Sequence, residues 1–171
     1  MPGGQDTPYP SQTKALHHEV ELVVAIGVGG CDISPQEALG HVFGYTVGLD
    51  LTRRDLQDEA KAARRPWDMS KGFDASAPVG DIVPVSQVGH PAAGRIALKV
   101  NGAVRQEGDL ADQIWPVPDI IATLSKFVVL APGDLIFTGT PEGVGAVEVG
   151  DVLEAEIAQI GTLRTKIVNA S

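Results

Sequence analysis

Residues 17–27 read HHEVELVVAIG. Val20, Leu22, Val24 and Ile26 recur at every second position, the period of a β-strand, and predict a strand over residues 18–28. Glu19 and Glu21 share the opposite face, which Val23 and Ala25 then continue. Two carboxylates side by side on a strand repel, and each raises the other's pKa. Facing water, such a pair is an ordinary strand edge. Facing the core, it is costly unless a cation lies between the carboxylates, and a hard divalent cation takes such oxygens. The spacing does not decide between the two. VLEAEI (152–157) repeats Glu-x-Glu at Glu154 and Glu156, with Leu153, Ala155 and Ile157 as the apolar face and the glutamates toward water.

Outward from this strand the chain is punctuated by turns. Residues 1–16 are rich in Pro, Gly and polar residues and read as an extended or loose lead-in to a single domain over 17–171. GVGGCD (27–32) is a turn. Ser34-Pro35-Gln36-Glu37 predicts a helix to about His41, with Ser34 as N-cap and Glu37 completing a capping box. VFGYTVGLD (42–50) is a second strand ending at Asp50, and Thr52 is the expected N-cap of a helix over about 53–64. Residues 64–80 lack any period and read as a long functional loop. GRIALKVNGAVRQ (94–106) is a β-hairpin turning at Asn101-Gly102. PDIIATLSKFV (118–128) predicts a helix with Ile120, Ile121, Leu124 and Phe127/Val128 on one face. LIFTG (135–139) is a strand, and residues 152–168 form two strands around Gly161.

The composition narrows the function. A chain of 171 residues with 43% hydrophobic content suits one domain with its own core. A formal charge of −9 argues against nucleic acid or an anionic membrane as partner. The one cysteine, Cys31, excludes an intramolecular disulfide framework and suits a reducing cytoplasm. No stretch approaches the ~20 apolar residues of a membrane helix, and there is no signal-peptide pattern.

Few residues outside the strand suggest chemistry. Asp50 stands at a strand end, where site residues gather. Arg54 and Gln57, three apart, share a helix face one turn on and could bind a carboxylate. Lys71 lies in the loop between Ser70 and Gly72. FTGTPEGVG (137–145) lacks the Gly-Lys-Ser/Thr ending of a nucleotide P-loop, but Thr138, Gly139 and Thr140 remain an anion-binding backbone candidate. None of the four histidines sits in a zinc motif.

Taken in order, HHEVELVVAIG, GYTVGLDLTRRDLQ, RPWDMSKGFDASAPVG, VNGAVRQEGD, LSKF, PGDLIFTGTPEGVG and GDVLEAEI closely resemble the fumarylacetoacetate hydrolase family, from about residue 7 to the end. PYPSQT and LDLTRRD look most like its fumarylpyruvate hydrolase and acylpyruvase branch. The resemblance implies an α+β fold, a β-rich mixed β-sandwich roll with short flanking helices, in a homodimer or higher homo-oligomer. It implies Mg²⁺ or Mn²⁺ on Glu19, Glu21 and Asp50, and substrate contacts at Arg54, Gln57, Lys71 and Thr140, with Lys71 also stabilising charge. The implied reaction is hydrolysis of a C–C bond in a small β-diketo acid, in the catabolism of aromatic compounds. Isomerases of hydroxyheptadienedioate type and oxaloacetate decarboxylases share the scaffold, and a non-catalytic binder of metal and dicarboxylate is a third reading. Family members carry an upstream Asn-Tyr-x-x-His motif whose His activates water. None of His17, His18, His41 or His90 matches it, so low hydrolase turnover is expected of this chain.

Overall fold

The computed structural model describes residues 4–170. In chain order the strands are β1 (Thr7–Pro8), β2 (Leu16–His18), β3 (Val20–Ile26), β4 (Val42–Leu49), β5 (Thr52–Arg53), β6 (Val83–Pro84), β7 (Arg95–Val100), β8 (Ala103–Asp109), β9 (Leu135–Phe137), β10 (Gly145–Ala146), β11 (Val152–Ile157) and β12 (Gly161–Val168). The α-helices are α1 (Arg54–Ala62), α2 (Asp68–Lys71), α3 (Val85–Val88) and α4 (Val117–Leu124). Three sheets result, in the orders β1-β12-β11-β7-β8, β6-β4-β3-β9 and β10-β2-β5. The fold is therefore the expected β-rich α+β arrangement with short helices. No helix among the described residues is long and apolar enough to cross a membrane.

The core lies where β4 packs on β11 and β12, and β3 on β7. Val20, Leu22, Val24 and Ile26 join Leu98, Leu153, Ile157 and Ile167 in one buried cluster. All seven residues of β3 are buried, including the face that carries Glu21. β3 is a central strand, paired with β4 on one side and β9 on the other. Opposite Glu21 stands Gly48. A Cβ there would come within 2.5 Å of Val23 and 2.8 Å of Phe137, so glycine is what lets these side chains close over the strand. Glu154 and Glu156 are exposed on β11 while Leu153, Ala155 and Ile157 are buried, as their pattern predicts.

Several local expectations are corrected. Residues 1–3 of the lead-in lie outside the described residues, but residues 4–9 are not loose. β1 runs parallel to β12, with Thr7 opposite Ile167, and Gly4 N–H donates to Arg164 O. Ser34 caps no α-helix. Its hydroxyl donates to the Glu37 carboxylate at 2.6 Å, and only a 3₁₀ turn, Ala38–His41, follows. Thr52 is not an N-cap: it lies in β5, opposite His17 of β2, and its hydroxyl donates to Asp50 O at 3.3 Å. The predicted 118–128 helix stops at Leu124, leaving Phe127 82% exposed. The loop at 64–80 contains the single turn α2, which ends on Lys71. The hairpin holds: Asn101 and Gly102 both have positive φ, the type I′ geometry that matches strand twist.

Candidate metal centre

Glu19 occupies the single-residue step between β2 and β3, and Asp50 the residue after β4. Because β3 and β4 are antiparallel, the start of one lies beside the end of the other. Asp50 N–H donates to Glu19 O at 2.9 Å, which ties the two residues together through the backbone. Glu21 projects two residues along from Glu19. One carboxylate oxygen each from Glu19, Glu21 and Asp50 lie within 4.8 Å of one another. Glu19 and Glu21 are buried and Asp50 is half-buried.

Two cations face these three carboxylates. Lys71 Nζ donates to Glu19 Oε2 at 2.7 Å and to Asp50 Oδ2 at 2.5 Å. Arg54 donates to Glu19 Oε1 through one guanidinium nitrogen, and to Gln57 Oε1 at 2.6 Å through the other. The supports of these cations are themselves anchored. Asp55 accepts from Thr13 Oγ1 and Lys14 N, fastening α1 to the lead-in. Arg53 stacks on Phe73, 4.4 Å from the ring centre, and donates to Met69 O, holding the turn that carries Lys71.

The three carboxyl groups are not equivalent. Burial pushes Glu21 up to about 7, with the charges of Asp50 and Glu19 adding to it and the Gly139 N–H opposing it. Burial likewise raises Asp50 above the ordinary value, against the Lys71 hydrogen bond. Burial would raise Glu19 too, but hydrogen bonds from Lys71 and Arg54 outweigh it and hold the group low. Among the described residues Glu21 forms no ion pair. Its Oε2 accepts instead from Gly139 N at 2.6 Å. A buried carboxyl without an ion pair, beside two further carboxylates, is an oxygen set that a hard divalent cation fits.

The 137–142 loop closes one side of the cluster. Gly139 has φ of +101°, a region that favours glycine, and this conformation aims its N–H at Glu21. Among the described residues no hydrogen bond joins the Thr140 side chain to the carboxylates; it is linked to the cluster through its neighbour Gly139 and accepts from Gln106. Gln106 and His18 are buried polar residues that sequence pattern did not single out. Burial lowers the His18 pKa, against its hydrogen bond with Gln106. A cavity of about 700 Å³ opens beside the loop, lined by Gly139 and Thr140 together with Leu110, Trp115, Ile120 and Phe137. The geometry thus brings Glu19, Glu21, Asp50, Arg54, Gln57 and Lys71 into one cluster, with Thr140 at its border.

The family model for the C-terminal part of fumarylacetoacetate (FAA) hydrolase matches residues 1–168. The chain belongs to the fumarylacetoacetate hydrolase family, a family of enzymes. It is 44% identical to the fumarylpyruvate hydrolase of a Ralstonia species over 160 residues, 94% of this chain and 83% of that protein. It is also 44% identical to the mitochondrial oxaloacetate tautomerase of Rattus norvegicus over 166 residues, 97% of this chain and 75% of that protein. The crystal structure of fumarylpyruvate hydrolase from Pseudomonas aeruginosa in complex with Mn²⁺ and pyruvate superposes with a TM-score of 0.96 at 50% identity. That match covers 99% of this chain and 74% of the other.

Proposed function

We propose that this chain hydrolyses the C–C bond of fumarylpyruvate or another acylpyruvate, releasing pyruvate and a carboxylic acid, in the catabolism of aromatic compounds. In this reading Glu19, Glu21 and Asp50 hold Mg²⁺ or Mn²⁺, and Arg54, Gln57, Lys71 and Thr140 contact the substrate. The observation that carries it is the convergence of three carboxylates within 4.8 Å, faced by Lys71 and Arg54. The Mn²⁺ and pyruvate bound by the Pseudomonas aeruginosa relative support the same reading.

When bound, the ion supplies a Lewis acid for the α-keto acid end of the substrate. The protein's own groups do the rest. Arg54 and Lys71 bring positive charge to an anionic substrate and orient it. Water adds its oxygen to the acyl carbonyl carbon, the C–C bond breaks, the electron pair passes to the pyruvate fragment, and the proton given up by the water ends on that fragment's methyl carbon. Negative charge develops there, and Lys71 Nζ, kept protonated by Asp50 and Glu19 against burial, is placed to stabilise it. The cavity beside Thr140 supplies room for the acyl group. Residues 17–171 act as one catalytic domain behind the lead-in. The chain works in the cytoplasm as a homodimer or higher homo-oligomer, for which the exposed run Phe127, Val128 and Val129 offers an apolar surface.

Pyruvate release from fumarylpyruvate, with MgCl₂ and with EDTA, tests the proposal. Ion-dependent release supports it, and release that EDTA leaves unchanged sinks it. The equal identity to the oxaloacetate tautomerase favours a second reading, proton transfer at oxaloacetate through the same residues. Loss of enol absorbance from oxaloacetate without acylpyruvate cleavage would select that reading.

A further inference from the structure

Gln106 is 1% exposed and makes four hydrogen bonds. Two of them fix which way round its amide lies. Val20 N–H, 3.1 Å away, can only donate, so the atom facing it is Oε1. Pro141 O, 2.9 Å away, can only accept, so the atom facing it is Nε2. Two partners of ambiguous polarity are thereby determined. His18 Nδ1, 2.8 Å from Oε1, must carry the ring hydrogen. Thr140 Oγ1, 2.8 Å from Nε2, must accept, so its own hydrogen points away from Gln106.

We propose that Gln106 is a positioning residue which, by donating to Thr140, presents the Thr140 hydroxyl as a hydrogen-bond donor to an anionic oxygen of the α-keto acid. This rests on Thr140 contacting substrate, as proposed above. A hydroxyl that already accepts a hydrogen bond is a better donor, because successive bonds polarise one another. The same amide also sets the frame around that donor. Val20 lies between Glu19 and Glu21, and Pro141 follows the Gly139-Thr140 pair that borders the cluster. One buried side chain therefore joins the carboxylate strand to the loop that carries the donor.

The test uses the full chain, saturating Mn²⁺ and pyruvate as the probe, read by titration calorimetry. In Gln106→Glu a carboxylate accepts where the amide donated, so the Thr140 hydroxyl turns inward. Gln106→Glu and Thr140→Val are each expected to weaken pyruvate binding about tenfold, the loss of one hydrogen bond to a charged group. The double variant should bind no more weakly than the worse single, and Thr140→Ser should bind like the parent. Losses that multiply in the double variant, or Gln106→Glu binding like the parent, overturn the proposal. Should Gln106→Glu not fold, the parent chain still decides. Nitrogen NMR is expected to show His18 as the Nδ1–H tautomer, and an Nε2–H tautomer overturns the hydrogen-bond polarity. Absence of any pyruvate binding by the parent would instead overturn the substrate reading on which the role depends.

Discussion

Gly139 N–H donates to Glu21 Oε2 at 2.6 Å, joining residues that stand 118 positions apart. This backbone contact is the partner that Glu21 has in place of an ammonium or guanidinium, and it makes Glu21 the group most dependent on a bound ion. Glu21→Ala should abolish stabilisation by MgCl₂ in thermal unfolding. Glu154→Ala and Glu156→Ala supply the comparison, since they have the same spacing but lie exposed on β11. Each of these should change stability by no more than about 0.5 kcal/mol and leave the ion response intact. An ion response that survives Glu21→Ala removes Glu21 from the ion site.

The raised pKa of Glu21 gives stability a definite pH dependence in the ion-free chain. Between the ordinary value of 4.5 and about 7, the folded chain retains a proton that the unfolded chain has lost. This contribution is fully present below the lower value and is lost as pH rises through the upper one. In EDTA, stability should therefore fall across that window in the parent and less steeply in Glu21→Gln. Ion binding must displace the same proton, so ion affinity should weaken by about tenfold per pH unit below about pH 7. Chemical unfolding at several pH values, with and without MgCl₂, checks both slopes.

Lys71 holds Glu19 and Asp50 together, so its removal should act in two opposite directions. Lys71→Met leaves three clustered carboxylates with Arg54 as the remaining cation hydrogen-bonded to them. The ion-free chain should lose about 1–3 kcal/mol, because paired carboxylates are left uncompensated. Affinity for Mn²⁺ should rise, since a competing positive charge is gone, while pyruvate release falls about 100-fold or more. Unfolding in EDTA, Mn²⁺ titration and turnover separate the three effects. A fall in Mn²⁺ affinity would show that Lys71 supports the ion rather than competing with it.

Gly139→Ala should cost about 1–2 kcal/mol, because φ of +101° is strained for any residue with a Cβ. Nothing stands within 4 Å of the Cβ position, so this cost is conformational and not steric crowding. If the loop relaxes, the N–H leaves Glu21, and the ion response should weaken along with stability. Unchanged unfolding in this variant would argue against the conformation described.

The sequence makes the period of β3 legible but not its burial. Alternation placed Glu19 and Glu21 on one face, yet what closes over them comes from elsewhere in the chain: Arg54 and Lys71 against Glu19, and the Gly139 loop against Glu21. Gly139 lies more than a hundred residues away. Glu154 and Glu156 show the same local pattern in a strand whose polar face stays wet. The Asn101-Gly102 hairpin was legible because its turn is a local property of two residues. Ser34 and Thr52 misled for the converse reason: each matches a capping pattern, but a neighbouring carboxylate took the first and pairing with β2 the second. Lys71 sits on a single helical turn, too short to leave a period. Gln106 left no signal, because its partners come from two distant segments, His18–Val20 and Thr140–Pro141.

The parallel pairing of β1 with β12 has a mechanical consequence. β1 lies near the start of the described chain and β12 near its end, and the two strands run in the same direction. A force drawing the ends apart therefore pulls β1 and β12 along each other in opposite senses. That is shear, which loads the Gly4–Arg164 and Tyr9–Val168 backbone bonds and the Thr7–Thr165 hydroxyl contact together. Strands peeled apart in line would break the same bonds one at a time. Against tension this edge of the sheet acts as a clasp, although it spans only two residues of formal strand.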